Sequence, residues 1–324
     1  MNASFLLGWF SLMVAACASM AIAEEKKPQE RPAVPFVEID GQRFWNSAST
    51  SKWIHSHASD LRKQGKLNPR KTIVDQLTKD QAAASKLILP AASTTTDLAI
   101  PELVKKISSA TVVIMTLDEK GGDAFGTGVA IAPGIILTNW HVMNPKKNHP
   151  DVIVMTASGN VLPVVAGIVG NPDADLAIIR VDDPQGEIVP MPLASSLPGV
   201  GETIWQCGHT HSNYWTVTNG IVNRYCMEPF TPMEKKNSID MPAMDVSNKI
   251  SAGSSGSAMV NMHGEIVGIY YARRWYNQSE KSTVKVEEGK NKQLDQAAYI
   301  DDRVVLFCRN YCLPVTTVKK LLQK

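Results

Sequence analysis

The sequence predicts an all-β double barrel, set between a partly helical N-terminal stretch and a short helix near the C-terminus. Three observations predict it. From residue 111 onward, short apolar runs alternate with Gly, Pro and Asn turns, at 152–156, 161–169, 176–181, 203–206, 216–222, 257–260, 265–271 and 297–300. Residues 126–142 read as a β-hairpin, two apolar strands joined by the turn Pro133-Gly134. The length of 324 residues suits one domain of ~200 residues plus an appendage.

Residues 1–23 stand apart from this domain. Phe5 to Ala16 is an apolar run too short to span a bilayer comfortably, and Ala21-Ile22-Ala23 is a small-residue cleavage pattern before Glu24. The reading is a signal peptide, with the amino terminus supplying the positive charge that no Lys or Arg provides. The alternative is a bacterial lipoprotein box at Val14-Ala15-Ala16-Cys17, which would make Cys17 a lipid anchor. No later segment is apolar enough to cross a membrane, so the mature protein is expected to be periplasmic or secreted, or else a membrane-anchored lipoprotein.

Residues 24–35 are charged and Pro-rich, which favours an extended chain. In 36–89 the spacing of Ile73, Leu77, Ala84 and Leu87 is helical. We read 24–97 as an N-terminal extension or pro-segment, ending in a Ser/Thr linker at 91–97. A helix over 100–109, entered at Pro101, leads into a first strand at 111–117. The main domain is placed at 98–313, with barrel halves at about 111–190 and about 200–302. A terminal helix is expected to begin over 303–308, leaving 314–324 as a tail.

The net charge is only +2, with both signs interleaved, which excludes nucleic acid as the main partner. Beyond Cys17 lie Cys207, Cys226, Cys308 and Cys312, an even number for an exported chain. Three pairings are open. Cys207 and Cys226 lie on segments expected to be adjacent antiparallel strands, which favours a Cys207–Cys226 disulfide and leaves Cys308 and Cys312 as a local pair.

The chemistry concentrates in three segments. Gly253-Ser254-Ser255-Gly256-Ser257 sets one serine between glycines before an apolar strand. A glycine at 253 lets the backbone approach a reacting carbonyl and frees its N–H to point inward. Thr138-Asn139-Trp140-His141-Val142 places a histidine just past a buried strand, at a rim. Asn171-Pro172-Asp173 is a turn leading into the next apolar strand, with Asp175 expected at that strand's first residue. There a carboxylate can orient an imidazole and stay ionised. Asp173 is the rival, but a turn-capping role suits it better.

These segments, in the order His, Asp, Ser, resemble those of the chymotrypsin-like serine proteases, in particular the bacterial HtrA and glutamyl-endopeptidase branch. Gly201-Glu202-Thr203-Ile204-Trp205-Gln206-Cys207-Gly208 and Val217-Thr218-Asn219-Gly220 fit the strand pair that opens the second half. The resemblance runs from about residue 100 to 313. It implies two six-stranded antiparallel barrels with a C-terminal helix, and peptide-bond hydrolysis through an acyl-enzyme. Ser255 would be the nucleophile, His141 the base and Asp175 its orienting acid, with the N–H groups of Gly253 and Ser255 as the oxyanion hole. The family's substrate pocket maps near Lys249, Tyr270 and Arg273, with Arg274 beside them. Tyr270 departs from the histidine that glutamyl endopeptidases carry there. Ser254 stands where digestive proteases have an activating aspartate, so no freed N-terminus should be needed. Too few residues follow Cys312 for the PDZ domain usual in the HtrA group, and 277–296 forms a long polar loop.

A peptide or protein substrate is expected, with no cofactor and no metal. The pairs His55/His57 and His209/His211 share a strand-like spacing but lack an accompanying Cys or carboxylate. The alternative function is a protease fold that has lost its chemistry and only binds peptides.

Overall fold

The first barrel follows from its hydrophobic runs. A computed structural model of the protein describes residues 35–79, 85–91, 96–118, 123–145, 148–277 and 306–323, with backbone alone for 275–277 and 306–308. Helix α3 (Ile100–Ala110) runs directly into β3 (Thr111–Leu117), which is buried at every residue. With β4 (Asp123–Ala132), β5 (Ile135–Thr138), β6 (Asp151–Met155), β7 (Val161–Asn171) and β8 (Leu176–Val181), it closes in the order β3-β4-β5-β8-β7-β6. The Pro133-Gly134 hairpin is the β4–β5 turn, and Gly134 takes the left-handed φ of 65° that such a turn asks for.

The second sheet also runs through six strands but is more thinly joined than the first, which corrects the expectation of two six-stranded antiparallel barrels to one full barrel and one thin circuit. It contains β9 (Thr203–Gly208), β10 (Thr216–Phe230), β11 (Ile239–Val246), β12 (Ala258–Val260), β13 (Ile266–Asn277) and β14 (Leu306–Pro314), in the cyclic order β10-β11-β14-β13-β12-β9. Its shortest link is the one between three-residue β12 and β9, through Met259↔Gln206 and Val260↔Trp205 alone. Moreover, β14 occupies residues from which the sequence suggests a helix. Tyr311, Cys312 and Leu313 are buried there against β11 and β13, and the helix α5 (Val315–Leu322) begins only after Pro314. The strand expected at 297–300, and most of the 277–296 loop, lie outside the described residues.

The cysteines also require a correction. Cys207, Cys226 and Cys312 are free thiols. β9 and β10 are indeed adjacent and antiparallel, but Cys207 faces Val217, whereas Cys226 lies further along β10, opposite Ala243 of β11. Neighbouring strands are not enough, because register decides which side chains meet. Burial pushes the Cys207 thiol up to about 12, with weaker opposing hydrogen bonds from Ser108 and Thr111, so it is an inert core residue. Cys17 and the Cys308 side chain lie outside the described residues.

The N-terminal extension is built onto the first barrel. A hairpin of β1 (Phe36–Ile39) and β2 (Gln42–Trp45) leads into α1 (Ser47–Lys63), capped by Asn46 Oδ1 accepting from the Ser49 N–H at 3.0 Å. Helix α2 (Arg70–Lys79) follows, its Ile73 and Leu77 fully buried. It packs on β7 at Gly167, where an added Cβ would lie 2.2 Å from the Ile73 carbonyl oxygen. Gln76 accepts a hydrogen bond from the Gly167 N–H at 2.8 Å. Trp53 Nε1 donates to the Gly159 carbonyl at 2.8 Å, and Arg62 pairs with Asp151. Because Leu77 is core rather than accessory surface, Leu77→Ala should destabilise the whole protein by about 2–5 kcal/mol in denaturant unfolding. Phe44→Ala, at a residue 54% exposed, should change it by no more than about 0.5 kcal/mol. Equal, small effects at both positions would show that α2 is dispensable.

Candidate active site

The strand end of β5 delivers the histidine. Thr138 Oγ1 donates to the Thr127 carbonyl at 2.7 Å, and Asn139 Nδ2 donates to the Asp175 carbonyl at 2.9 Å. Trp140 is buried, and this fixes the single helical turn α4 (Trp140–Met143) that carries half-buried His141. From the extension, Arg70 Nη1 donates to the Met143 carbonyl and to Asn144 Oδ1, both at 3.2 Å, tying down the end of this turn.

Asp175 reaches the same place from β8. Asn171 Oδ1 accepts from the N–H groups of Asp173 and Ala174 at 3.0 and 3.1 Å, and this turn swings Asp175 into a left-handed φ of 50°, which aspartate tolerates better than most residues. Its carboxylate is 2% exposed and gives both oxygens to His141: Oδ1 accepts the backbone N–H at 2.9 Å, and Oδ2 lies 2.8 Å from Nδ1. Burial alone would lower the His141 pKa. The charge and hydrogen bond of Asp175 oppose burial, and the net shift is above the ordinary histidine value. Asp173 faces outward and pairs with Lys235 at 2.6 Å.

The serine loop rests against the first barrel. The Thr127 N–H donates to the Ser255 carbonyl at 2.8 Å, and Thr127 Oγ1 donates to the Gly253 carbonyl at 2.8 Å. Gly253 has φ +93°, and an added Cβ would lie 2.4 Å from the His209 carbonyl oxygen, so only glycine fits. The Ala252 carbonyl accepts the His211 N–H at 2.8 Å, and the Ser254 carbonyl accepts the Ser257 N–H at 2.9 Å. In a trans peptide the C=O and N–H point in opposite directions. Each anchored carbonyl therefore turns the following N–H, of Gly253 and of Ser255, away from its anchor. Neither of these N–H groups donates to an acceptor among the described residues, and the half-buried Ser255 hydroxyl also makes no hydrogen bond among them.

The loop 209–215 that holds this segment is strained. His211, Ser212 and Trp215 have φ of 47°, 61° and 52°, each costing about 1–2 kcal/mol against the right-handed alternative. Thr210 Oγ1 lies 2.8 Å from Ser254 Oγ, and His211 Nε2 lies 2.6 Å from Ser251 Oγ. His209 is fully buried, and burial pulls its pKa down to about 3, against a weak contact with the Val112 backbone. The ring is therefore neutral at ordinary pH. Its Nδ1 accepts the Trp215 N–H at 3.2 Å, which leaves its proton on Nε2.

Of the residues expected in the substrate pocket, Lys249 is exposed and Arg273 donates to Ser251 Oγ at 2.8 Å. Tyr270 is 3% exposed, its ring in the core of the second sheet. It serves the serine loop through its backbone: its carbonyl accepts the Gly256 N–H at 3.0 Å, and its N–H donates to the Ser257 carbonyl at 2.9 Å. His55 and His57 lie on helix α1, where i and i+2 point apart rather than to one side. His55 pairs with Asp123 at 3.0 Å, and His57 Nδ1 lies 2.8 Å from the Trp53 carbonyl oxygen. Among the described residues no group of three potential ligands could hold a metal ion. Sequence reasoning missed Thr127, Arg70 and the anchoring role of His211. Only the Gly126-Thr127-Gly128 spacing offered a signal, since glycines flanking a polar residue mark a close approach.

A family model described as a trypsin-like peptidase domain matches residues 126–269. Serine endoprotease DegS of Escherichia coli strain K12 is 29% identical over 147 residues, covering 44% of this chain and 38% of that protein. Periplasmic serine endoprotease DegP of Salmonella typhimurium is 31% identical over 149 residues, covering 45% of this chain and 29% of that protein. Among solved structures, the active form of the Rv3671c protease from M. tuberculosis aligns with a TM-score of 0.49 at 18% identity, over 74% of this chain and 94% of that one. The chain thus spans well under half the length of these two curated relatives. The His141–Asp175 pair and the serine loop lie inside the matched stretch, so the part of the chain that carries the candidate site is similar to a trypsin-like peptidase domain and to the serine endoproteases DegS and DegP.

Proposed function

We propose that the protein is a serine endopeptidase that cleaves peptide or protein substrates through an acyl-enzyme. The observation that carries this is the His141 imidazole held by a buried carboxylate, with both Asp175 oxygens engaged. With Nδ1–H donated to Asp175, the Nε2 lone pair is the base that takes the Ser255 proton as Oγ attacks the scissile carbonyl. Catalytic hydrogen bonds are often loose without substrate, so the Ser255–His141 bond is left to tighten on binding. The unoccupied N–H groups of Gly253 and Ser255 receive the oxyanion, and they are oriented by carbonyl anchors rather than by a freed N-terminal amine. His141, now protonated, gives its proton to the leaving amine, and water reverses the sequence to release the acid.

A fluorophosphonate probe tests this reading. It should label the wild-type protein at Ser255 and leave Ser255→Ala unlabelled. A wild type that stays unlabelled would instead favour a peptide-binding protein without chemistry. No helix among the described residues is long and apolar enough to cross a membrane. We propose export by way of residues 1–23, as DegP is named periplasmic, with cleavage after Ala23 rather than lipidation at Cys17. Intact mass of the protein recovered from an envelope fraction should fit a chain beginning at Glu24. A mass beginning at Cys17 and carrying added acyl groups would reverse that choice.

A further inference from the structure

We propose that the N-terminal extension, residues 35–79, is a permanent brace of the oxyanion hole rather than a detachable inhibitor, and that Trp45 is a positioning residue for catalysis. The proposal rests on the protease reading above.

The loop 209–215 orients the 252–253 peptide through the His211 N–H, so whatever holds the loop holds the Gly253 N–H. Three residues with left-handed φ persist only where the surroundings over-determine them. Much of what surrounds this loop is supplied by the extension. The Trp215 indole stacks on Trp45 at 4.2 Å between ring centroids, with the planes 14° apart. It also meets the His209 ring at 4.7 Å with the planes 68° apart and the Tyr214 ring at 6.4 Å, and its Nε1 donates to the Ser108 carbonyl at 3.3 Å. Tyr214, 5% exposed, is buried in one cluster with Ile54 and Ala58 of α1 and Val113 and Met115 of β3. Trp45 is itself seated edge-on against Phe36 at 4.7 Å, so the β1–β2 hairpin presents its indole as a fixed surface.

The extension also reaches the other half of the site. Arg70 holds the Met143 carbonyl and Asn144 at the end of the turn that carries His141. One segment therefore contacts the supports of both the base and the oxyanion donors. An inhibitory pro-segment needs no such contacts and must come away without disturbing the core, yet Ile54, Ile73 and Leu77 of this segment are fully buried. The Trp45–Trp215 stack borders an open cavity of about 760 Å³, so trimming Trp45 widens an existing opening and leaves no sealed void.

The test compares full-length wild type, Trp45→Ala and Trp45→Phe by peptide hydrolysis and by the rate of fluorophosphonate labelling. Trp45→Ala should lose at least about tenfold in kcat and in labelling rate, with KM nearly unchanged and the fold retained, because oxyanion donors act in the transition state. Trp45→Phe, which restores a stacking face, should recover most of the loss. A Trp45→Ala protein that works as well as wild type, or faster, overturns the proposal. If Trp45→Ala fails to fold, Trp45→Leu decides in the same way, because it keeps the bulk without the ring plane. A wild type that does not label at all refutes the protease reading instead, and equal labelling of wild type and Trp45→Ala refutes only the brace.

Discussion

Ser255→Ala is expected to lower kcat by on the order of 10⁶ while leaving the unfolding midpoint unchanged. The size follows from nucleophilic catalysis. Without Oγ no acyl-enzyme forms, and the remaining rate comes from binding and the oxyanion donors alone. The unchanged stability follows from the structure, since the hydroxyl makes no hydrogen bond among the described residues. The neighbouring serines serve as internal controls. Ser254 and Ser257 are buried, with Ser254 Oγ 2.8 Å from Thr210 Oγ1 and Ser257 Oγ accepting from Gln206 at 2.9 Å. Alanine at either position should cost stability, with a far smaller effect on turnover than at 255. If Ser255→Ala retained a tenth of the wild-type rate, the assignment of the nucleophile would be wrong.

Asp175→Asn is the second large effect, a fall in kcat on the order of 10⁴, as the equivalent change causes in Ser-His-Asp triads. The geometry says why. The carboxylate now accepts twice, from the His141 N–H at 2.9 Å and from Nδ1 at 2.8 Å. An amide has only one accepting oxygen. If that oxygen keeps the backbone bond, the NH₂ faces Nδ1 and forces the proton onto Nε2, where it can no longer take one from serine. The pH profile moves as well. In the wild type the acidic limb of kcat/KM should lie above the ordinary histidine pKa of about 6.5, because Asp175 favours the imidazolium. In the variant burial acts alone, and the limb of the residual activity should move to lower pH. Stability carries the same signature. The His141 pKa is raised on folding, so its interaction with Asp175 contributes fully below the unfolded-state pKa and fades as pH rises through the folded one. The stability gap between wild type and Asp175→Asn should therefore narrow on going from mildly acidic to alkaline pH. A gap independent of pH, or an unshifted limb, would place the Asp175 effect elsewhere.

Local patterns in the sequence carried most of the first barrel and the candidate site. The hairpin around Pro133-Gly134, the histidine just past β5 and the choice of Asp175 over Asp173 as the residue facing His141 were all legible from residue order and turn chemistry. What escaped was set by partners distant in sequence. Residues 306–314 mix apolar residues with Arg309 and Asn310, a pattern that does not separate helix from strand, and pairing with β11 and β13 decides for strand. The Cys207–Cys226 pairing failed on register, which no composition reveals. Ser212 and Trp215 carry none of the preference for positive φ that Gly, Asn or Asp would show, so their strained turn could not be read from local preference. In the extension, Ile73 and Leu77 showed their helix but not the strand it would cover.

Packing at position 167 reaches the proposed base, His141. Helix and strand touch there main chain to main chain, across a gap that a hydrogen atom fills and a methyl group would not. Arg70 begins that same helix, and its guanidinium fastens the turn bearing the base. A side chain inserted at 167 would wedge the helix outward and draw this fastening with it, loosening the imidazole from a position that never touches substrate. Gly167, one of the two glycines of β7, thus acts as a spacer gauge for the turn that carries the proposed base.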